Sequence, residues 1–148
     1  MTVRQEQRAR PAVPLNERLF RLDEASGRPV LRGSRCPQCR HSFFPTRTLC
    51  AACGRGDLEA VEFGPRGRVW TYTIARQAPP GAIVEAPYVV AQVELPEHVM
   101  VGTLVKDCDP ESVVVGTEVE IVPVVVRQDE EGRDMVAFAF RPVQEAKR

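Results

Sequence analysis

"CPQCRHSFFPTRTLCAAC", residues 36–53, holds two CxxC pairs with ten residues between them. A CxxC turn presents two thiolates on one side of an ion, and two such turns facing each other complete a tetrahedron. The spacer, "RHSFFPTRTL", is long enough for a short hairpin, and Gly54 follows the second pair where a positive φ is useful. Cys36, Cys39, Cys50 and Cys53 are therefore the expected ligands of one metal ion, with Zn2+ preferred. A rubredoxin-like iron centre uses the same four sulfurs and remains the open alternative. Four thiolates leave no coordination position for water or substrate, so the expected role is structural, standing in for a core too small to hold alone. A dithiol redox motif would need one CxxC at a helix N-terminus rather than two facing pairs. His41 falls outside the knuckle and reads as a turn residue.

Downstream of Gly64 the texture changes. "GRVWTYTIAR" alternates, with Val69, Thr71 and Thr73 on one face and Trp70, Tyr72 and Ile74 on the other. "PYVVAQVEL", "VMVGTLV", "TEVEIVPVVV" and "MVAFAF" are likewise rich in β-branched residues and bounded by Gly, Pro and charge. "KDCDPESVVVG" between the third and fourth reads as a turn with at most one helical turn, and His98 sits at a hairpin tip. Five short strands with that interruption predict a five-stranded Greek-key barrel of the OB type, a small open sandwich being the alternative. Upstream, "LNERLFRLDEA" places Leu15, Leu19, Phe20 and Leu22 near helical spacing, with Asn16 as cap and Gly27 and Pro29 as stop. The expected layout is a tail and short helix over residues 1–30, a zinc ribbon over 31–63, the OB-fold over 64–142 and a tail over 143–148. The fold class is mainly β.

The 148 residues hold 20 Lys and Arg against 20 Asp and Glu, unevenly placed. Residues 1–76 carry 14 Arg and 7 acidic residues, whereas residues 77–148 carry 6 basic and 13 acidic ones. Such a split suits a basic face that meets phosphate or an acidic partner. No run of about 18 apolar residues exists, so no transmembrane helix is expected. The basic residues at the start have no apolar run behind them, so a cytoplasmic protein is expected, in which thiols stay reduced and clustered cysteines bind metal more often than each other. Cys108 lies between Asp107 and Asp109, which raise a thiol pKa and argue against a nucleophile. No catalytic constellation is expected.

The order of these pieces is itself informative: "LRGSRCPQCRHSFFPTRTLCAACG", then "GRVWTYTIAR", a Pro-rich loop, "PYVVAQVEL" and "FAFRP". From about Leu15 to Pro142 the chain resembles the DUF35 family, a rubredoxin-like zinc ribbon joined to an OB-fold. The resemblance implies a non-catalytic partner subunit of a thiolase-like enzyme, either a thiolase, a synthase or an aldolase, that helps bind or channel acyl-CoA. Some members also carry a hydratase-type domain, for which this chain has no room. CoA phosphates favour arginine, so Arg47 and Arg68 are candidate contacts. Phe43, Phe44, Trp70 and Tyr72 are candidates for an apolar wall, and "SFFP" is expected to face outward. The competing reading is a zinc-ribbon and OB-fold nucleic-acid binder, disfavoured by zero net charge and 6% aromatics.

Overall fold

The computed structural model describes residues 11–144. It carries all five expected barrel strands: β6 (Arg66–Ala75), β7 (Tyr88–Glu94), β8 (Met100–Val105), β9 (Glu118–Gln128) and β10 (Asp134–Pro142). Antiparallel ladders run β8-β7-β6-β9-β10, and a parallel bridge from Phe140 to Val105 closes β10 onto β8. That strand order, with its one parallel closure, is the OB-fold. Period-two burial drives it: Val89, Ala91 and Val93 of β7 point inward while Val90 and Gln92 point out. The "KDCDPES" segment supplies a single 3-10 turn, Pro110–Ser112, whose start is capped by the Asp109 carboxylate accepting from the Glu111 N–H at 3.0 Å.

The alternation breaks at one place. A register shift between Val69 and Thr71 inserts an extra residue into β6 opposite β7. Val69 and Tyr72 therefore share the inner face, and Trp70 is pushed outward, 58% exposed. The expected grouping of Trp70 with Tyr72 and Ile74 is thus corrected by the bulge.

The expected N-terminal helix is not formed. Residues 1–10 of the expected tail lie outside those described, as do residues 145–148 of the second tail. Ala12–Pro14 is strand β1, paired in parallel with Asp134–Val136 of β10. Asn16 does cap a turn, its Oδ1 accepting from the Arg18 N–H at 3.0 Å and its carbonyl from the Leu19 N–H at 3.1 Å. The chain then enters β2 (Phe20–Leu22), which pairs with β3 (Pro29–Arg35) across an Asp23–Ser26 turn. Two helical turns cannot hold alone, and the strand places Phe20 in the core, which is why the ladder wins. β3 also pairs with β4 (Ser42–Phe43) and β5 (Glu59–Glu62).

Ribbon and barrel share one core. Phe20, Leu31 and Phe63 cluster with Val69, Val93, Val101, Val119 and Phe140 of the barrel. At the junction the Phe138 ring meets Phe20 edge-on at 5.5 Å and Phe44 at 6.2 Å. Edge-to-face pairs at such spacing add about 0.5–1.5 kcal/mol each beyond burial. "SFFP" is thus split rather than wholly outward: Phe44 packs on the barrel and only Phe43 faces away from it. Gly33 allows this closeness, since a Cβ there would lie 2.4 Å from the Phe63 ring and 2.2 Å from the Phe43 carbonyl.

Phe138→Ala should lower stability by about 3 kcal/mol and melt ribbon and barrel in one transition. A calorimetric trace that splits in two would refute the shared core. Gly33→Ala should cost about 2–3 kcal/mol through overpacking against backbone that cannot withdraw, read by denaturant titration.

Candidate metal centre and contact surfaces

The two cysteine turns are geometric copies. In the first, the Cys36 N–H donates to the His41 carbonyl at 2.9 Å and the Arg40 N–H to the Cys36 carbonyl at 2.9 Å. In the second, Cys50 N–H donates to Arg55 and Gly54 N–H to Cys50, both at 2.8 Å. The fourth residue after each leading cysteine takes a positive φ, 64° at Arg40 and 79° at Gly54. Glycine adopts that freely, whereas arginine carries a cost of about 1–2 kcal/mol. The pattern "CPQCRH" over "CAACGR" contains this repeat, but the arginine conceals it.

The two turns bring all four Sγ atoms within 4.8 Å of one another, with Cys36 to Cys53 at 3.6 Å and Cys39 to Cys50 at 3.4 Å. A bond of about 2.3 Å to a central ion sets tetrahedral sulfurs about 3.8 Å apart, so this donor set fits a tetrahedral metal. The backbone N–H groups of Cys39 and then Gln38 hold the Cys36 thiol below its usual range, whereas Cys39 and Cys53, facing the other sulfurs, are pushed up. The Cys53 N–H points at the Cys50 sulfur at 3.4 Å. His41 is not in the ligand cluster; its Nδ1 lies 3.4 Å from the Cys39 sulfur, outside the tetrahedron.

The remaining candidates are distributed over several surfaces. Phe43 and Arg47 come together, with the guanidinium 5.5 Å above the ring. The Arg47 backbone is fixed from below by the buried Ser34 hydroxyl, which accepts its N–H at 3.0 Å. Phe44 and Tyr72 pack against the shared core. Trp70, by contrast, is exposed; its neighbour Val69 is tied to the turn that carries exposed Val114 and Val115, the Gly116 N–H donating to the Val69 carbonyl at 2.8 Å. Trp70 and Tyr72 therefore lie on opposite faces of β6 and form no common wall. The outward position of Trp70 relative to Tyr72 was hidden in the sequence by the bulge.

Arg68 is held in a cross-strand pattern. It reaches Glu118 of β9 at 3.5 Å and stands opposite Glu94 of β7, while Arg66 stands opposite Glu120, which Arg141 binds at 3.0 Å. These exposed pairs are individually worth little, but they cancel the charge of this face. Arg76 ties the start of the Pro-rich loop to Glu111 at 2.7 Å. Cys108 is half-buried; burial first, then Asp107 and Asp109, push its thiol up. A raised pKa keeps it protonated and a poor nucleophile. No described helix is long and apolar enough to cross a membrane.

Comparison with known proteins agrees with this architecture. Residues 24–59 match the family "ChsH2, rubredoxin-like zinc ribbon domain" and residues 60–124 match "ChsH2, C-terminal OB-fold domain". A "DUF35 domain-containing scaffold protein" of Methanothermobacter thermautotrophicus is 42% identical over 76% of this chain and 86% of its own length. The "Benzoylsuccinyl-CoA thiolase subunit BbsA" of Thauera aromatica is 28% identical over 80% of this chain and 81% of that one. Among solved structures, the "Ltp2-ChsH2(DUF35) aldolase" matches with a TM-score of 0.62 and 31% identity, covering 78% of this chain and 84% of that chain.

Stripping the metal with a chelator should raise hydrogen exchange across residues 36–57 and leave β6–β10 protected, because Phe20, Leu31 and Phe63 enter the core from outside the cysteine window. Equal loss of protection in the barrel would overturn this. Arg40→Gly should stabilise the ribbon by about 1 kcal/mol, and Gly54→Ala should destabilise it by about as much, both read as shifts in the chelator concentration at half-loss of metal.

Proposed function

From its place in the DUF35 family, to which this chain belongs, we propose that it is a non-catalytic accessory subunit of a thiolase-superfamily enzyme. It binds that enzyme and helps bind or channel an acyl-CoA substrate during thiolytic or retro-aldol C–C bond cleavage or formation. The observation that carries the reading is the 31% identity to the solved DUF35-containing aldolase across both ribbon and barrel. Its relative named as a thiolase subunit adds support.

The ion is zinc, held by Cys36, Cys39, Cys50 and Cys53. When bound, it cross-links the two turns and supplies no open coordination position, so its contribution is to shape. Chemistry then rests with the partner. Within this chain, half-buried Phe43 under the Arg47 guanidinium and the exposed side chains of Trp70, Val114 and Val115 are the contact surfaces, since none of them belongs to the shared core. Phe44 and Tyr72 act indirectly, by fixing the elements that carry those surfaces. Nucleic acid is the poorer fit, because Arg68 and Arg141 on the barrel already face glutamates and a phosphate backbone needs unneutralised cations.

Co-expression with a thiolase-like protein should give a stable hetero-oligomer containing near-stoichiometric zinc by elemental analysis and no visible iron absorption. Acyl-CoA turnover should require both chains. Trp70→Ala combined with Arg47→Glu should weaken the complex at least tenfold, or raise KM for acyl-CoA, while leaving the melting profile of the single chain intact. Full activity of the purified chain alone, or an unaltered complex from the double variant, would refute the assignment.

A further inference from the structure

A cleft of about 620 Å³ opens between the turn that precedes β2 and the segment that follows β4. Arg18 and Arg32 line it, together with Asn16, Glu17, Pro45 and Thr46. It brings two parts of the chain together that the sequence holds far apart, and none of the surfaces described above includes it.

The cleft carries two arginines in its lining. Seven of the fourteen described arginines have a carboxylate within 4.0 Å. Among the described residues neither Arg18 nor Arg32 does, although Glu17 lines the same cleft. Arg32 is nonetheless fixed: its backbone N–H donates to the Leu19 carbonyl at 2.8 Å and one guanidinium nitrogen donates to the Glu17 carbonyl at 3.1 Å. That single tether orients the fork and leaves its other N–H groups unused. The Asn16 side-chain Oδ1 accepts from the Arg18 N–H at 3.0 Å, so its amide NH2 stays available as a donor, and Thr46 offers a hydroxyl. Arg47, next in sequence to Thr46, carries its guanidinium over the Phe43 ring rather than beside a carboxylate and adds to the local positive potential.

Two guanidinium groups lining one cleft, neither within 4.0 Å of a carboxylate, suit a doubly charged oxyanion, which can take paired N–H donors from each fork. Such an anion competes with the Glu17 carboxylate of the lining and with Glu62, which stands opposite Arg32 across the ladder. The volume lies within the range that admits a nucleotide-sized ligand. We propose that the Arg18–Arg32 cleft is a phosphate-binding site for a phosphomonoester or diphosphate of nucleotide size. The anion chemistry stands on the cleft alone; only the choice of the nucleotide end of CoA as its source rests on the acyl-CoA reading given above. Free inorganic phosphate is the other source of the same chemistry.

Calorimetric titration of the full metal-loaded chain at low ionic strength tests this directly, with adenosine 3′,5′-bisphosphate and inorganic phosphate as separate probes. Saturable binding of the nucleotide is expected, weakened at least about tenfold by Arg18→Ala with Arg32→Gln, and falling steeply with added salt. The glutamine keeps a donor for the Glu17 carbonyl, and unchanged metal content and circular dichroism show that the fold survives. Arg127→Ala, which removes an arginine without a carboxylate partner elsewhere on the barrel, should leave binding unchanged. Nucleotide binding at least tenfold tighter than phosphate supports the CoA end as source; equal affinity keeps the anion site and makes free phosphate the source. No saturable binding of either probe, or equal weakening by Arg127→Ala, overturns the proposal. So would capture of an acidic peptide through the two arginines with no phosphate binding. Because the titration uses this chain alone, its failure is distinct from a failure to assemble with a thiolase-like partner.

Discussion

One ring decides how the two halves of this protein sit together. Phe138, at the middle of the last strand, is met edge-on by Phe20 from β2 and Phe44 from the hairpin between the cysteine turns. A ribbon of this size cannot bury enough apolar surface for itself, and an OB barrel needs one open end covered. The three aromatic rings answer both needs with a single contact. Leu31 and Phe63 extend it, and Gly33 removes the side chain that would keep Phe63 from closing. The metal-binding turns are left projecting from a base that is already anchored.

The barrel was legible because its strands alternate, and alternation is a property of single residues at fixed spacing. The cysteine tetrahedron was legible for a similar reason: ligand type and spacing nearly determine the geometry. What was hidden depended on partners distant in sequence. Leu15, Leu19, Phe20 and Leu22 have helical spacing, and Asn16 does cap a turn, yet pairing of Phe20–Leu22 with Pro29–Leu31 overrides local preference. The outward turn of Trp70 comes from one inserted residue in β6, which no pattern of period two can announce. Phe43 and Phe44 are adjacent and alike in sequence, but only Phe44 meets Phe138.

Charge tells the same story from another side. The sequence splits into a basic and an acidic half, which suggests a dipolar molecule. The topology lays β6, from the basic half, between β7 and β9, from the acidic half, so Arg66 and Arg68 find Glu120, Glu118 and Glu94 across the ladder. Much of the apparent asymmetry cancels within one sheet. What survives is local, at arginines that the topology brings to no carboxylate, and a linear count of charges cannot say which those are.

The parallel pairing of Ala12–Pro14 with Asp134–Val136 has a consequence for how the chain is assembled during synthesis. The first described strand is laid against the last, so its partner does not exist until residues 134–136 have left the ribosome, more than 110 residues after β1. The hydrogen-bonded ladders of the β2-β3-β4-β5 sheet and the cysteine turns lie within residues 20–62 and can take shape early, while their apolar faces wait for the barrel. The barrel closes later, when β10 arrives to join β9 and β8, and β1 is seated last of all. Loop closure over such a span is entropically slow, which makes β1 the strand whose attachment reports that folding is complete.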